Sequence, residues 1–142
     1  MDLHSVIHHT APDCKSRQKQ KNIVAGDGEC IFKGLLRVDR DAQQTDSSQI
    51  CRSLLLSEKS KVKAMPYLQI QADDVVCSHG ASATELDRDQ VFYMACRGLE
   101  TAEAERLLLL AFPQDLLAGF SSTSPKAYQR WLDKMWTLVA KP

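Results

Sequence analysis

A chain of 142 residues has the size of one ordinary domain and buries roughly two-thirds of the surface its unfolded form exposes, enough for a core without staples. Eighteen basic residues balance eighteen acidic ones, and charged residues make up 25% of the chain, which excludes a strongly basic nucleic-acid binder. The most apolar run, Leu107 to Phe112, falls far short of the ~20 residues of a membrane helix, and no charged start with an apolar stretch opens the chain, so a soluble, unsecreted protein is expected.

Five cysteines, Cys14, Cys30, Cys51, Cys77 and Cys96, form an odd, uneven set with no Cys-x-x-Cys pair. That pattern disfavours a disulfide framework and a structural zinc knuckle, and it points to reduced thiols in a cytosol or plastid-like compartment.

From Met1 to about Ser82 the chain offers short β-branched or alternating runs with polar breaks and no period of 3.6, so this half reads as strands. The runs are Ser5–His8, Asn22–Ala25, Cys30–Val38, Ile50–Leu56, Lys61–Met65, Tyr67–Ile70 and Val75–Cys77, with turn chemistry at Gly26-Asp27-Gly28 and Asp39-Arg40-Asp41. Leu35, Leu54 and Val76 recur at intervals of 19 and 22, near one coil of a strand-turn solenoid. A meander or sandwich gives the same grammar, and periodicity alone does not separate them.

Upstream, Lys15, Arg17, Lys19 and Lys21 alternate, which places them on one face if the segment is extended. With no aromatic residue interleaved, they read as a solvated face and not as a phosphate-binding strip. Between Asp73 and Glu105, eight acidic residues stand against Arg88 and Arg97, so charge is uneven although the total is zero.

From Asp87 onward the pattern turns helical. Asp87 with Gln90 makes a capping box and Gly98 a stop, which predicts a helix over about 88–97. Thr101 is expected to cap a second helix, with Glu103 and Glu105 near its positive end and Pro113 at its end or a kink. A short third turn or helix spans Gln114 to Ala118 and stops at Gly119. After the polar linker Ser121 to Ser124, Ser124-Pro125 opens a final helix of about 126–139, with Tyr128, Trp131, Leu132, Met135 and Val139 at helical spacing. Trp131 and Trp136 are read as packing on their own domain, with docking of a partner as the other reading.

The densest group of reactive types is Asp73-Asp74-Val75-Val76-Cys77-Ser78-His79-Gly80. In a strand, Cys77 and His79 lie two apart and share a face, where a sulfur and an imidazole can meet one ion. That supplies two ligands and not four, and a packed cysteine beside a hydrogen-bonded histidine is the more frequent outcome. A nucleophile reading takes Cys77 as thiolate, His79 as base and Asp73 or Asp74 as orienter, but adjacent carboxylates raise a thiol pKa instead of lowering it. No Gly-rich phosphate loop, HExxH or GxSxG is present. His4, His8 and His9 read as satisfied or exposed histidines.

A further set of residues carries a family resemblance. Ala42-Gln43-Gln44-Thr45-Asp46, Leu54-Leu55-Leu56-Ser57, Pro66, Leu68-Gln69-Ile70, Ala72-Asp73-Asp74-Val75 and Cys77-Ser78-His79-Gly80-Ala81 resemble the C-terminal part of the SufB/SufD family, scaffold proteins of the SUF iron–sulfur cluster assembly system. Gln90-Val91-Phe92-Tyr93, Arg97-Gly98-Leu99 and Glu103-Ala104 to Phe112 resemble its terminal helices, and His9, Ala11-Pro12, Ser16, Gln18 and Lys21 fit more loosely. The likeness covers about 4–119, and Cys-Ser-His-Gly points to the SufD side.

The resemblance implies a mainly β chain with C-terminal helices: the coils of a right-handed parallel β-helix over 1–84 and a SufC-docking helical domain over 85–120, to which the residue pattern adds a linker with a terminal amphipathic helix over 121–142. It implies a scaffold and not an enzyme, working in a SufB–SufC–SufD complex in the cytoplasm or a plastid, with SufC an ABC-type ATPase and a homodimer as the other assembly. His79 matches a SufD histidine of the nascent cluster site at the SufB interface, and Cys77 is a second metal or sulfur candidate there. The iron–sulfur cluster is then transient and shared with the partner. Because family members are about three times longer, the chain is expected to be a fragment, or to have its open solenoid end covered by a partner. The helix after Ser121, with Lys126, Arg130 and Lys134, receives no role. Two other classes stand beside this reading: a thiol-dependent hydrolase or transferase using Cys77 and His79, and a metal-free β-solenoid interaction module.

Overall fold

A computed structural model describes the backbone of residues 1–139 and their side chains except those of 119–122 and 136–139. The chain divides into two compact units, Met1–Glu85 and Leu86–Pro142. The first holds strands β1 (Asp2–His9), β2 (Lys15–Val24), β3 (Glu29–Val38), β4 (Asp46–Leu55), β5 (Lys61–Ile70) and β6 (Val76–Glu85). The second holds helices α1 (Arg88–Cys96), α2 (Thr101–Ala111), α3 (Gln114–Thr123) and α4 (Pro125–Val139).

The strands form two parallel three-stranded sheets in the orders β1-β3-β5 and β2-β4-β6, so the chain alternates between sheets from one strand to the next. Asp2 pairs with Ile31, Lys15 with Asp46, Glu29 with Lys61 and Asp46 with Val76, so register partners lie 29, 31, 32 and 30 positions apart. The recurrence at 19 and 22 is therefore not the register: Leu35 lies in β3, Leu54 in β4 and Val76 in β6, and Leu35 belongs to the other sheet. Corners repeat at the same offset as the strands. Asp13 and Gln44 both take φ 59°, and the Asp13 N–H donates to Gln43 O at 2.9 Å while the Gln44 N–H donates to Asp74 O at 2.6 Å.

Alternation decides what enters the core. In β3 the inward residues Cys30, Phe32, Gly34, Leu36 and Val38 are all buried, and in β4 so are Ser47, Gln49, Cys51 and Ser53. The apolar face comes from β3, while the facing rows of β2 and β4 are largely polar. Those polar groups are desolvated and must bond to one another. Ser16 Oγ lies 2.6 Å from Ser47 Oγ, Asn22 Nδ2 donates to Ser53 Oγ at 3.1 Å, and Gln49 Nε2 donates to Gln18 Oε1 at 2.6 Å. Leu36, Val38, Ala42 and Ala72 form one apolar cluster, against which Ile7, Leu68, Val75 and Cys77 pack.

Several sequence expectations are corrected here. The segment 61–70 is one strand through Pro66, because β5 is a sheet edge where a missing N–H is tolerated. β2 begins at Lys15 and β4 at Asp46, both earlier than their apolar residues suggested, and β6 continues past Cys77 to Glu85 with almost no apolar residue. In each case polar or small side chains occupy strand positions and hide the alternation.

In the second unit, the Asp87 carboxylate accepts from the N–H groups of Asp89 and Gln90 at 2.9 and 3.3 Å, and Gly98, at φ 94°, ends α1. Glu100, and not Thr101, stands at the N-cap of α2, and it makes no side-chain cap bond. α3 continues through Gly119 to Thr123 instead of stopping at Ala118, a glycine inside a helix costing only about 1 kcal/mol. Pro125 opens α4 at the first helical position, with the Tyr128 N–H donating to Ser124 O at 3.0 Å. Trp131 is half-buried in this unit, and Trp136 lies outside the described side chains.

Candidate functional site

Cys77 and His79 both lie on β6, an edge of its sheet, and the period of two puts them on one face. Their register partners are Ser47 and Gln49, two of the buried inward residues of β4, so both belong to the inward row. Cys77 is half-buried against the apolar cluster, whereas His79 is exposed and lines a shallow depression of about 330 Å³ with Cys51, Arg52 and Gly80.

Burial holds the Cys77 thiol above its ordinary range, and Asp46 adds to this while a backbone hydrogen bond at Ser47 opposes it. A thiol held in that direction is a poor nucleophile near neutral pH and becomes a good ligand only once a metal takes the place of its proton. Asp73 and Asp74 do not orient His79. Asp73 accepts from Gln43 Nε2 at 3.0 Å and the Asp74 N–H donates to Gln43 Oε1 at 2.9 Å, so this pair fastens one corner to the next.

Among the described residues, no group of three or more His, Cys, Asp or Glu side chains could hold a metal ion. Cys77 and His79 therefore offer one sulfur and one nitrogen, both suited to iron, and leave any remaining positions to other donors. All five cysteines are free, and Cys30 and Cys51 are buried away from solvent.

The other histidines are spoken for. His4 Nε2 lies 3.0 Å from Asp2 Oδ1, His8 Nε2 lies 2.8 Å from Asp39 Oδ2, and His9 Nε2 lies 2.9 Å from Ser16 Oγ. The cations of β2 do share one face, and Arg17 is paired with Asp46 at 2.5 Å. Sequence reasoning missed Gln49. Its signal was a glutamine at the register position of His79, and only strand pairing reveals that.

Residues 1–112 match the family model described as the SufBD core domain of SUF-system iron–sulfur cluster assembly. The chain belongs to the SufBD family. It is 46% identical over 121 residues to the Arabidopsis thaliana protein ABCI7, chloroplastic, covering 84% of this chain and 26% of the relative. It is 36% identical over 115 residues to the iron–sulfur cluster assembly protein SufD of Escherichia coli, covering 81% and 27%. A SufBD-family cluster assembly protein of Synechocystis is 40% identical over 116 residues, covering 82% and 26%. The chain thus spans about a quarter of the length of these curated relatives. Among the described residues no helix is long and apolar enough to cross a membrane.

Proposed function

We propose that this SufBD-family chain is a SufD-like part of an iron–sulfur assembly scaffold and not an enzyme. In this reading the two sheets are successive coils of a right-handed parallel β-helix, and Cys77 and His79 contribute to a nascent cluster site completed by a SufB-like subunit in the cytoplasm or a plastid. The observation that carries the reading is the pair itself: a sulfur and an imidazole on the inward row of an edge strand, with no third ligand close enough to close a site within the described residues. Iron and sulfide are the cargo. A site that hands a cluster on is better left open than enclosed by one chain.

The chemistry follows from the side chains. A neutral imidazole nitrogen and a deprotonated sulfur both donate to iron, and Cys77 would lose its proton on binding. The exposure of His79 lets it meet a partner's thiolate without unfolding its own strand. The SufC-like ATPase is assigned to the helical unit, where Leu107, Leu110, Leu117, Tyr128, Trp131 and Leu132 line an apolar groove of about 340 Å³.

The test is anaerobic co-expression with SufB-like and SufC-like proteins, native mass spectrometry, and iron and sulfide analysis of what co-purifies. A three-protein complex is expected, and His79→Ala should leave that complex assembled while lowering its iron and sulfide content. Unchanged iron and sulfide would remove His79 from the site, and a lone chain would remove the scaffold role. Leu107→Lys, at an exposed position of α2, should release the ATPase and keep the SufB-like subunit; retention of both would move the docking surface elsewhere.

A further inference from the structure

Gln49 is 1% exposed, yet its Oε1 has no hydrogen-bond partner. Buried amide oxygens in folded proteins are paired, so a donor within reach of this one is expected. The direction in which that donor must lie follows from the ladder. Gln18 and Gln49 are register partners on β2 and β4; Gln49 Nε2 donates to Gln18 Oε1 at 2.6 Å, and Gln18 Nε2 donates to Ser5 Oγ at 2.8 Å. The amide nitrogen of Gln49 is thereby committed to the β2 side.

From the other sheet, Gly34 and Phe32 face this amide. A Cβ added to Gly34 would overlap Gln49 Nε2 and stand 2.9 Å from Phe32 Cζ, so on this side the space is filled by the glutamine and the ring. The other neighbour of β4 is β6, and the residue at the register position of Gln49 there is His79. Its ring is the one imidazole without a partner among the described residues. Neighbouring strands run about 4.8 Å apart, and the bond from Gln49 to Gln18 already spans one such gap from the same row.

Resting on the proposed role of His79, we infer that its exposed ring turns about its side-chain bonds to donate one N–H to Gln49 Oε1, which makes Gln49 the positioning residue for the iron-binding nitrogen. The amide oxygen accepts the ring proton, so the ring is held in one tautomer and the other nitrogen keeps its lone pair toward the open edge. Without that acceptor the two tautomers interchange and either nitrogen faces out. The polar row through Ser5, Gln18 and Gln49 then has a purpose that packing alone does not give it: it anchors a ligand.

The experiment is nitrogen-15 NMR of the full chain labelled at histidine, at a pH where the ring is neutral. The expected result is one His79 tautomer, a ring N–H in slow exchange with water, and a nuclear Overhauser contact from that proton to the Gln49 side chain. Gln49→Leu should abolish the slow ring N–H and average the tautomers, and Gln49→Glu, which keeps an acceptor, should restore both. Averaged tautomers in the unmutated chain would overturn the inference, as would a ring N–H indifferent to Gln49→Leu. So would a contact from the Gln49 NH₂ to an unprotonated ring nitrogen, which reverses the bond. The unmutated spectrum decides even if a variant misfolds. Iron and sulfide analysis of His79→Ala separates the two claims, because a defined tautomer with unchanged iron content keeps the hydrogen bond and removes the cluster role.

Discussion

β4 and β6 are register partners in one sheet, and the same inward row runs through both, but with opposite outcomes. On β4, Ser47, Gln49, Cys51 and Ser53 are buried; on β6 their partners Cys77, His79, Ala81 and Ala83 are half-buried or exposed. β4 has a strand on each side and β6 is an edge. The comparison separates two uses of one geometry. Inside, polar groups bond to one another, Gln49 Oε1 excepted; at the edge, the same positions leave donors free to meet something else.

The largest effect should come from the interior. Phe32 is fully buried, and Phe32→Ala is expected to cost about 3–5 kcal/mol in chemical denaturation; a cost below 1 kcal/mol would mean that the inward row of β3 is not the core. Two glycines sharpen the contrast. Gly34→Ala forces a methyl into the Gln49 amide and the Phe32 ring and should cost about 1–3 kcal/mol, while Gly80→Ala on β6 meets nothing within 4 Å and should stay within about 0.5 kcal/mol. Equal effects at the two glycines would erase the distinction between the strands.

Thiol labelling near neutral pH ranks the same environments kinetically. Cys96 is exposed and should react first; Cys77, half-buried with its thiol held up, should lag; Cys30 and Cys51 should label only on unfolding. Burial also raises the Cys51 thiol, opposed by hydrogen bonds from Ser53 and Asn22. Immediate stoichiometric reaction at Cys77 would instead favour thiol chemistry.

The smallest effect is electrostatic. Hydrogen bonds from Arg17, His8 and Lys63 hold the carboxyls of Asp46, Asp39 and Glu29 below their ordinary range. Their folded pKa values lie below the unfolded ones, so the contribution is present at neutral pH and is lost as pH falls through the folded values. All three are exposed pairs, so melts from neutral to acid should show a shallow decline that added salt flattens. A steep, salt-independent loss would point to a buried group instead.

Where local chemistry acts alone, the sequence was legible. Asp87 and Gly98 bracket α1 because a carboxylate caps free N–H groups and only glycine takes a positive φ cheaply, and Cys77 and His79 share a face because strand period is two. The strand of lysines and glutamines from Lys15 was half-legible: alternation of cations was visible, but its inward row, Ser16, Gln18, Gln20 and Asn22, is polar, so no apolar pattern announced it. Apolar spacing misled on the repeat, because Leu35 and Leu54 sit in different sheets.

By itself, the sequence determined the division into strands and then helices, the cap and stop of α1, and the pairing of a sulfur with an imidazole two residues apart. Each follows from interactions within a few residues. Only the tertiary structure decided which strands are neighbours, with partners about 30 residues apart, which of two chemically similar rows is buried, and that Gln49 stands beside His79. Hydrogen bonding between parallel strands is set by register across the sheet, and register depends on how whole strands pack, a quantity that no local pattern contains.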